Sequence, residues 1–274
     1  MNKAITAWAS HHLVVAMPAI YRPELLATTL WSFDRGLFRH FPRKTLILNL
    51  DPLGIHAGQI ADLKNQIMAI ANTYFDEVIV RFAEQPSFSR AVQWAWQQAT
   101  EKENLFLHLE DDWVLNRPVP FDRVRSLLQQ PGIASVRLQR QRGLKSAVSP
   151  ACSLNPIFFN SAFIRQALAE FQLDLDPEKQ FAMDPLQHSL AGWKHMVMPR
   201  ELGLSPDELL ADPGGWVSDL GVHWRRGQSL RKISAAGQSR WELADLGWMS
   251  RFKNRWQLAV KLAFYRKRAL LRMR

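Results

Sequence analysis

One cysteine, Cys152, is all that this chain of 274 residues has. A lone thiol forms no internal disulfide, which agrees with a reducing compartment and a fold held by its own core. Long apolar runs are missing too. The opening stretch from Met1 to His12 has one lysine and no extended apolar region, and the run Leu13 to Met17 is stopped by Pro18. Neither a secretory signal nor a bilayer-spanning helix is expected from that pattern. Internal repeats and low-complexity blocks are absent, and 47% hydrophobic with 22% charged residues is ordinary for a globular protein.

Acidic residues are missing from the C-terminal end. Of 35 Lys/Arg, nine fall between Arg251 and Arg274, where there is no Asp or Glu. That leaves 26 basic residues against all 25 acidic ones in residues 1–250. The net charge of +10 therefore belongs to a C-terminal arm on a nearly neutral body. Basicity of the whole chain would suggest nucleic acid. Its confinement to the arm removes that reading from the body.

What is present is concentrated in Leu105-Phe106-Leu107-His108-Leu109-Glu110-Asp111-Asp112-Trp113-Val114. An apolar, strand-like run ends in three adjacent carboxylates. Three neighbouring acids repel one another and add nothing to packing. At the end of a buried strand they suit a hard cation, which takes oxygen ligands and bridges carboxylates to substrate phosphates.

The surrounding pattern alternates. Strand-like runs at His12–Met17, Lys44–Leu50, Asp76–Phe82 and Leu105–Leu109 are separated by helical spacing at Glu24–Phe33, Ala57–Tyr74 and Ser89–Thr100. Alternation of this kind predicts crossover connections and a largely parallel sheet, with the ligand crevice beyond the carboxyl ends of the strands. Pro18, Asp51, Phe82 and Glu110–Asp112 all fall at those ends. Beyond Trp113 the sequence predicts helices at Phe121–Gln130 and Ser161–Phe171 and strands at Ile133–Gln139 and Ile157–Asn160. Loop is expected over Asp174–Pro185 and Gly203–Gly215, and helix from Trp241 onward.

This order of motifs resembles the GT-A-fold glycosyltransferases, close to the family-2-like bacterial sugar transferases. The stretch Phe88-Ser89-Arg90-Ala91-Val92-Gln93-Trp94-Ala95 stands where that group has G-x-x-x-A-R-N-x-G, and Glu110-Asp111-Asp112 is an EDD form of its DXD motif. Arg90 keeps the arginine; Ala91 and Gln93 depart from the usual Asn and Gly. The resemblance implies an α/β fold of GT-A (Rossmann-like) type, with a mixed, mainly parallel sheet flanked by helices and a C-terminal basic helical arm. Residues 1–240 would form the transferase domain, with a nucleotide-sugar half at about 12–115 and an acceptor half at about 116–240. Residues 241–274 would form the tail.

The resemblance also implies roles. Asp112 would be the direct ligand of Mn²⁺ or Mg²⁺. Asp111 would assist it, and Glu110 would face the donor ribose or shape the loop. Asp51 would bind the nucleobase, and the segment Pro18 to Tyr21 would contact the nucleotide. Asp184 would be the general base of an inverting reaction, with Glu178 second and Asp174 or Asp176 behind it. His223 would be a further metal ligand, and Arg225 and Arg226 would meet phosphate. The expected partners are a nucleotide-sugar donor and a cell-surface glycan or lipid-linked acceptor, in a cytoplasmic protein peripheral on the inner face of the membrane.

Plainer readings stand beside these. Asp51 could start a turn with Pro52, Arg90 could be a solvated helix residue, Asp184 could cap a turn, and His223 could be a buried hydrogen-bonded histidine. The arm reads as an amphipathic helix for an anionic membrane surface, with its removal expected to spare the chemistry. An oligomer-forming helix or an RNA-binding one remains open. Two rivals to transfer stand as well. A sugar nucleotidyltransferase of related fold would need a glycine-rich first loop, which Ala16-Met17-Pro18-Ala19-Ile20 lacks. A non-catalytic membrane- or nucleic-acid-binding scaffold would have no need of an intact acid triplet.

Overall fold

The computed structural model describes residues 11–55, 57–139, 148–149, 152–181, 190–198, 215–228, 230–235, 238–243 and 247–272. In chain order the elements are β1 (His12–Ile20), α1 (Pro23–Gly36), β2 (Arg43–Asp51), α2 (Ile60–Tyr74), β3 (Glu77–Phe82), α3 (Phe88–Lys102), β4 (Leu105–His108), β5 (Trp113–Leu115), α4 (Phe121–Leu128) and β6 (Ile133–Arg137). They continue with β7 (Val148–Ser149), β8 (Ile157–Asn160), α5 (Ser161–Ala169), α6 (Pro177–Gln180), β9 (Lys194–Val197), β10 (Val217–Asp219), α7 (Gly221–Gly227), the hairpin β11 (Leu230–Ala235) and β12 (Gln238–Leu243), and α8 (Trp248–Arg272).

Alternation along β1 builds a two-faced sheet. Leu13, Val15 and Met17 join one apolar cluster with Leu26, Leu30 and Phe33 of α1 and Ile67 and Ala71 of α2. Val14 and Ala16 join the other, with Val92, Ala95, Trp96 and Ala99 of α3. Successive side chains of a strand point to opposite faces, so a strand apolar at every position demands helices on both sides. The result is a three-layer α/β/α body.

The main sheet has the order β3-β2-β1-β4-β8-β6-β9-β7. Pairs β3–β2, β2–β1, β1–β4 and β6–β9 are parallel. Strand β8 runs antiparallel between β4 and β6, and β7 runs antiparallel on β9. From β1 the chain winds outward to β2 and β3, then returns to place β4 on the other side of β1. That reversal is a topological switch point, and its crevice lies past the carboxyl ends of β1 and β4.

Several boundaries differ from the sequence reading. Strand β1 does not stop at Pro18 but runs to Ile20. Leu109 N–H donates to Ala16 O, so alternate residues Ala16 and Pro18 face the β4 side, and β4 has ended before Pro18 is reached. Its missing N–H therefore removes no ladder bond. The expected loop at Asp174–Pro185 contains α6, capped by Asp176, whose carboxylate accepts from Glu178 N–H at 3.0 Å. Trp241 lies in β12, so helix starts only at Trp248 and the boundary drawn at residue 240 falls inside a strand.

Candidate active site

The triplet leaves the end of β4 and is gripped from three directions. Thr29 of α1 donates its hydroxyl to Asp111 O at 2.8 Å. Next, β5 pairs antiparallel with β10, setting Asp219 opposite Trp113. That pairing delivers the start of α7 to the acids, where Leu220 N–H donates to Asp112 O at 2.8 Å. Gly221 then lies flat against the Asp112 carboxylate. A Cβ there would stand 2.7 Å from Asp112 Cγ and 2.9 Å from Arg225 Nη1.

The third grip is Arg22, in the two-residue link between β1 and α1. Its Nε donates to Asp111 Oδ2 at 3.0 Å, and its Nη2 donates to Asp111 Oδ1 and to Asp112 Oδ2, the latter at 3.1 Å. The guanidinium also lies 4.9 Å from the Trp224 ring centroid, in cation–π range. Arg22, Asp111 and Asp112 are all buried. Burial alone would loosen the proton of Arg22, but Asp111 and Asp112 outweigh it and raise its pKa further above the ordinary value. Buried charges of this kind persist only when paired. Arg225 of α7 stands 3.7 Å from Asp112 Oδ2 and is about a quarter exposed, so it reaches the opening.

Glu110 is the member without its own guanidinium clamp. Burial, then the charges of Asp112, Glu178 and Asp111, push its carboxyl well above the usual range, and Arg225 opposes them only in part. The site thus holds more carboxylate than guanidinium. Glu178 belongs to it: its Oε1 accepts from Leu154 N–H at 2.8 Å and Ser153 Oγ–H at 3.4 Å.

A divalent cation can be tested against these residues. Among the described residues no three His, Cys, Asp or Glu side chains converge into a metal cage. Asp111 does not fit as a ligand, because Arg22 takes both its oxygens. Glu110 and Asp112 do fit as hard oxygen donors: Glu110 has no guanidinium clamp of its own, and Asp112 shares Arg22 with Asp111, so both keep oxygens of the kind that holds Mg²⁺ or Mn²⁺ together with substrate phosphates and water. His223 lies elsewhere on α7. Lys261 Nζ of α8 donates to its Nε2 at 2.5 Å. Burial, then Lys261 and Arg226, lower its pKa.

The other expected residues divide. Asp51 is buried at the end of β2, where Oδ1 accepts from Asn49 Nδ2 at 2.8 Å and Oδ2 from Ser87 N–H at 2.9 Å. Burial raises its pKa, and it helps raise that of Tyr21 at the end of β1. Asp51 therefore ties the β2 end to the start of α3. Arg90, in the first turn of α3, is exposed, as is Arg226. Asp176 is the cap of α6, Asp174 is exposed, and Asp184 lies outside the described residues. His108 is fully buried, accepts from Trp96 Nε1–H at 3.1 Å, and is pushed by burial down to about 3, so it is a neutral core histidine. Arg22 and Gly221 had no part in the sequence reading. The available signal for Arg22 was charge balance: three buried acids require countercharge, and an arginine directly follows the first strand.

Neither a protein-family model nor a curated relative matches this sequence. Solved structures do. The mannosyltransferase PcManGT from Pyrobaculum calidifontis aligns over 80% of this chain and 62% of its own, at 11% identity and a TM-score of 0.51. S. aureus TarS aligns over 73% of this chain and 38% of its own, at 13% identity and a TM-score of 0.44. Glucosyl-3-phosphoglycerate synthase from Mycobacterium tuberculosis aligns over 90% and 92%, at 12% identity and a TM-score of 0.45. The chain thus spans less than two thirds of the first two. The fold is shared: α/β of the GT-A type, with a mainly parallel sheet flanked by helices.

Proposed function

We propose that this chain is a metal-dependent glycosyltransferase that moves a sugar from a nucleotide-diphosphate donor to a glycan or lipid-linked acceptor. The observation that carries the reading is the meeting of Glu110–Asp112 with Arg22 and Arg225 at the switch point between β1 and β4. A crevice of mixed carboxylate and guanidinium suits a diphosphate that arrives with a cation. PcManGT, of the same fold, was solved with GDP-mannose and Mn²⁺, which supports the same donor class here. The link between β1 and α1 is only Tyr21-Arg22, without the glycine-rich loop of the nucleotidyltransferase rival.

Asp112 and Glu110 would hold the cation, and His223 is left out because Lys261 and Arg226 repel one. When bound, the cation neutralises charge on the departing diphosphate. Arg22 pairs with Asp111 and Asp112 and fixes both in place, and Arg225 offers its guanidinium to phosphate oxygens. Asp51 and Tyr21 form the base-side wall. The base that takes the acceptor proton is Asp184 or Glu178; Glu178 is held by Leu154 and Ser153 within electrostatic reach of Glu110. The arm at 251–274 places the protein against an anionic inner membrane face, where a lipid-linked acceptor would be found.

A thermal-shift series with nucleotide sugars, with and without Mn²⁺, tests the reading. One donor should stabilise only with metal, and Asp112→Ala should abolish both that shift and turnover. Glu178→Gln and Asp184→Asn, made separately, should include one variant that binds donor but does not turn over. No donor-specific shift, or an equal shift in Asp112→Ala, overturns the metal–diphosphate site.

A further inference from the structure

The described residues expose eight large apolar side chains, and six lie on α8: Trp248, Met249, Phe252, Trp256, Val260 and Phe264, at 46–71% exposure. The other two, Phe82 and Leu173, stand at 38% and 37% on separate elements. At 3.6 residues per turn the six fall within an arc of about 160°. The opposite arc faces the body. There Leu258 and Leu262 pack on Leu25, Val114, Leu220 and Trp224. Lys261 donates to His223, and Arg255 Nε donates to Gly227 O at 3.2 Å. Helix α8 is thus fixed by one face and exposes large apolar side chains on the other.

We infer that the outward face of α8 docks on an anionic lipid bilayer. Two aromatic types dominate it, Trp and Phe, the residues that sit at the headgroup boundary. Charge selects the kind of surface: the segment 251–274 carries nine Lys/Arg and no acid, which attracts anionic headgroups and repels a like-charged second copy. No helix of the described chain is long and apolar enough to cross a membrane, so α8 lies along the surface. Met249 and Val260, which offer no ring for a base to stack on, share this face with the aromatics and suit acyl chains better than RNA.

This docking rests on the membrane placement proposed above, names the face of α8 that makes it, and needs no turnover to test. The full chain is sedimented with vesicles of phosphatidylcholine alone and with phosphatidylglycerol mixed in. It should pellet at least tenfold more strongly with the anionic vesicles. The double variant Phe252→Ser/Trp256→Ser should lose that gain while keeping the wild-type melting temperature. Leu173→Ser, an exposed apolar residue elsewhere, should bind as the wild type does. Equal binding of the double variant overturns the docking face. So does a concentration-dependent dimer, or RNA binding, that the double variant abolishes in a protein that ignores both vesicles.

Discussion

Arg22 changes what the acid triplet means. From the sequence, three carboxylates ask for a cation, and a metal ion is the obvious one. In the folded chain an arginine supplies the first positive charge, and it spans Asp111 and Asp112 together. A metal then has to be argued from what Arg22 leaves uncompensated, which is Glu110 and part of Asp112. Removing one partner of a buried ion pair costs about 3–5 kcal/mol, because the other charge stays behind unpaired. Arg22→Met should therefore lower urea-unfolding stability by about that amount. Arg22→Met/Asp111→Leu, which removes both charges at similar volume, should recover most of it. A single variant within about 1 kcal/mol of the wild type would mean that the clamp does not hold the site together.

At the scale of elements, α7 decides the geometry of the site. It is short, yet it brings Gly221 against Asp112, Trp224 over Arg22 and Arg225 toward the opening. The glycine is needed for space, since any Cβ would collide with the Asp112 carboxyl. Gly221→Ala should leave the melting transition cooperative but displace Asp112. We expect metal-dependent donor affinity and transfer to fall at least tenfold, read by titration with donor and Mn²⁺. Wild-type affinity would show that the Asp112 position is not critical. Nothing near Gly221 in the sequence announced this. The β1–β4 half was legible because period-two apolar runs and crossover helices are local signals. Asp51 and the triplet were placed at one sheet edge for that reason, whereas Pro18 lies inside β1, two residues short of its end. Arg22 and Gly221 were not legible as site residues, because their roles come from strand pairing between segments about 90 to 110 residues apart. The cap at Asp176 was read as loop because a four-residue helix carries almost no periodic signal.

For the whole molecule, the basic arm is part of the body and not an appendage. The sequence reading makes residues 251–274 separable, with chemistry unaffected by their loss. In the structure Leu258 and Leu262 pack on the cluster of Leu25, Val114 and Leu220, and Leu220 N–H donates to Asp112 O at 2.8 Å. The path from α8 through Leu220 to Asp112 is therefore two contacts long. Truncation after residue 247 should uncover Leu25 and Leu220. A loss of about 2 kcal/mol of apolar burial corresponds to a fall of roughly 4–8 °C in melting temperature for a chain of this size. Donor affinity should weaken in the same variant, because Leu220, whose N–H holds Asp112 O, loses its cover. The outward-face variant Phe252→Ser/Trp256→Ser touches none of these contacts and should leave both quantities unchanged. Calorimetry of the two proteins, each with and without donor and Mn²⁺, separates the roles. If truncation changes neither melting temperature nor donor affinity, the inner face of α8 does not support the site, and the arm serves only the surface it meets.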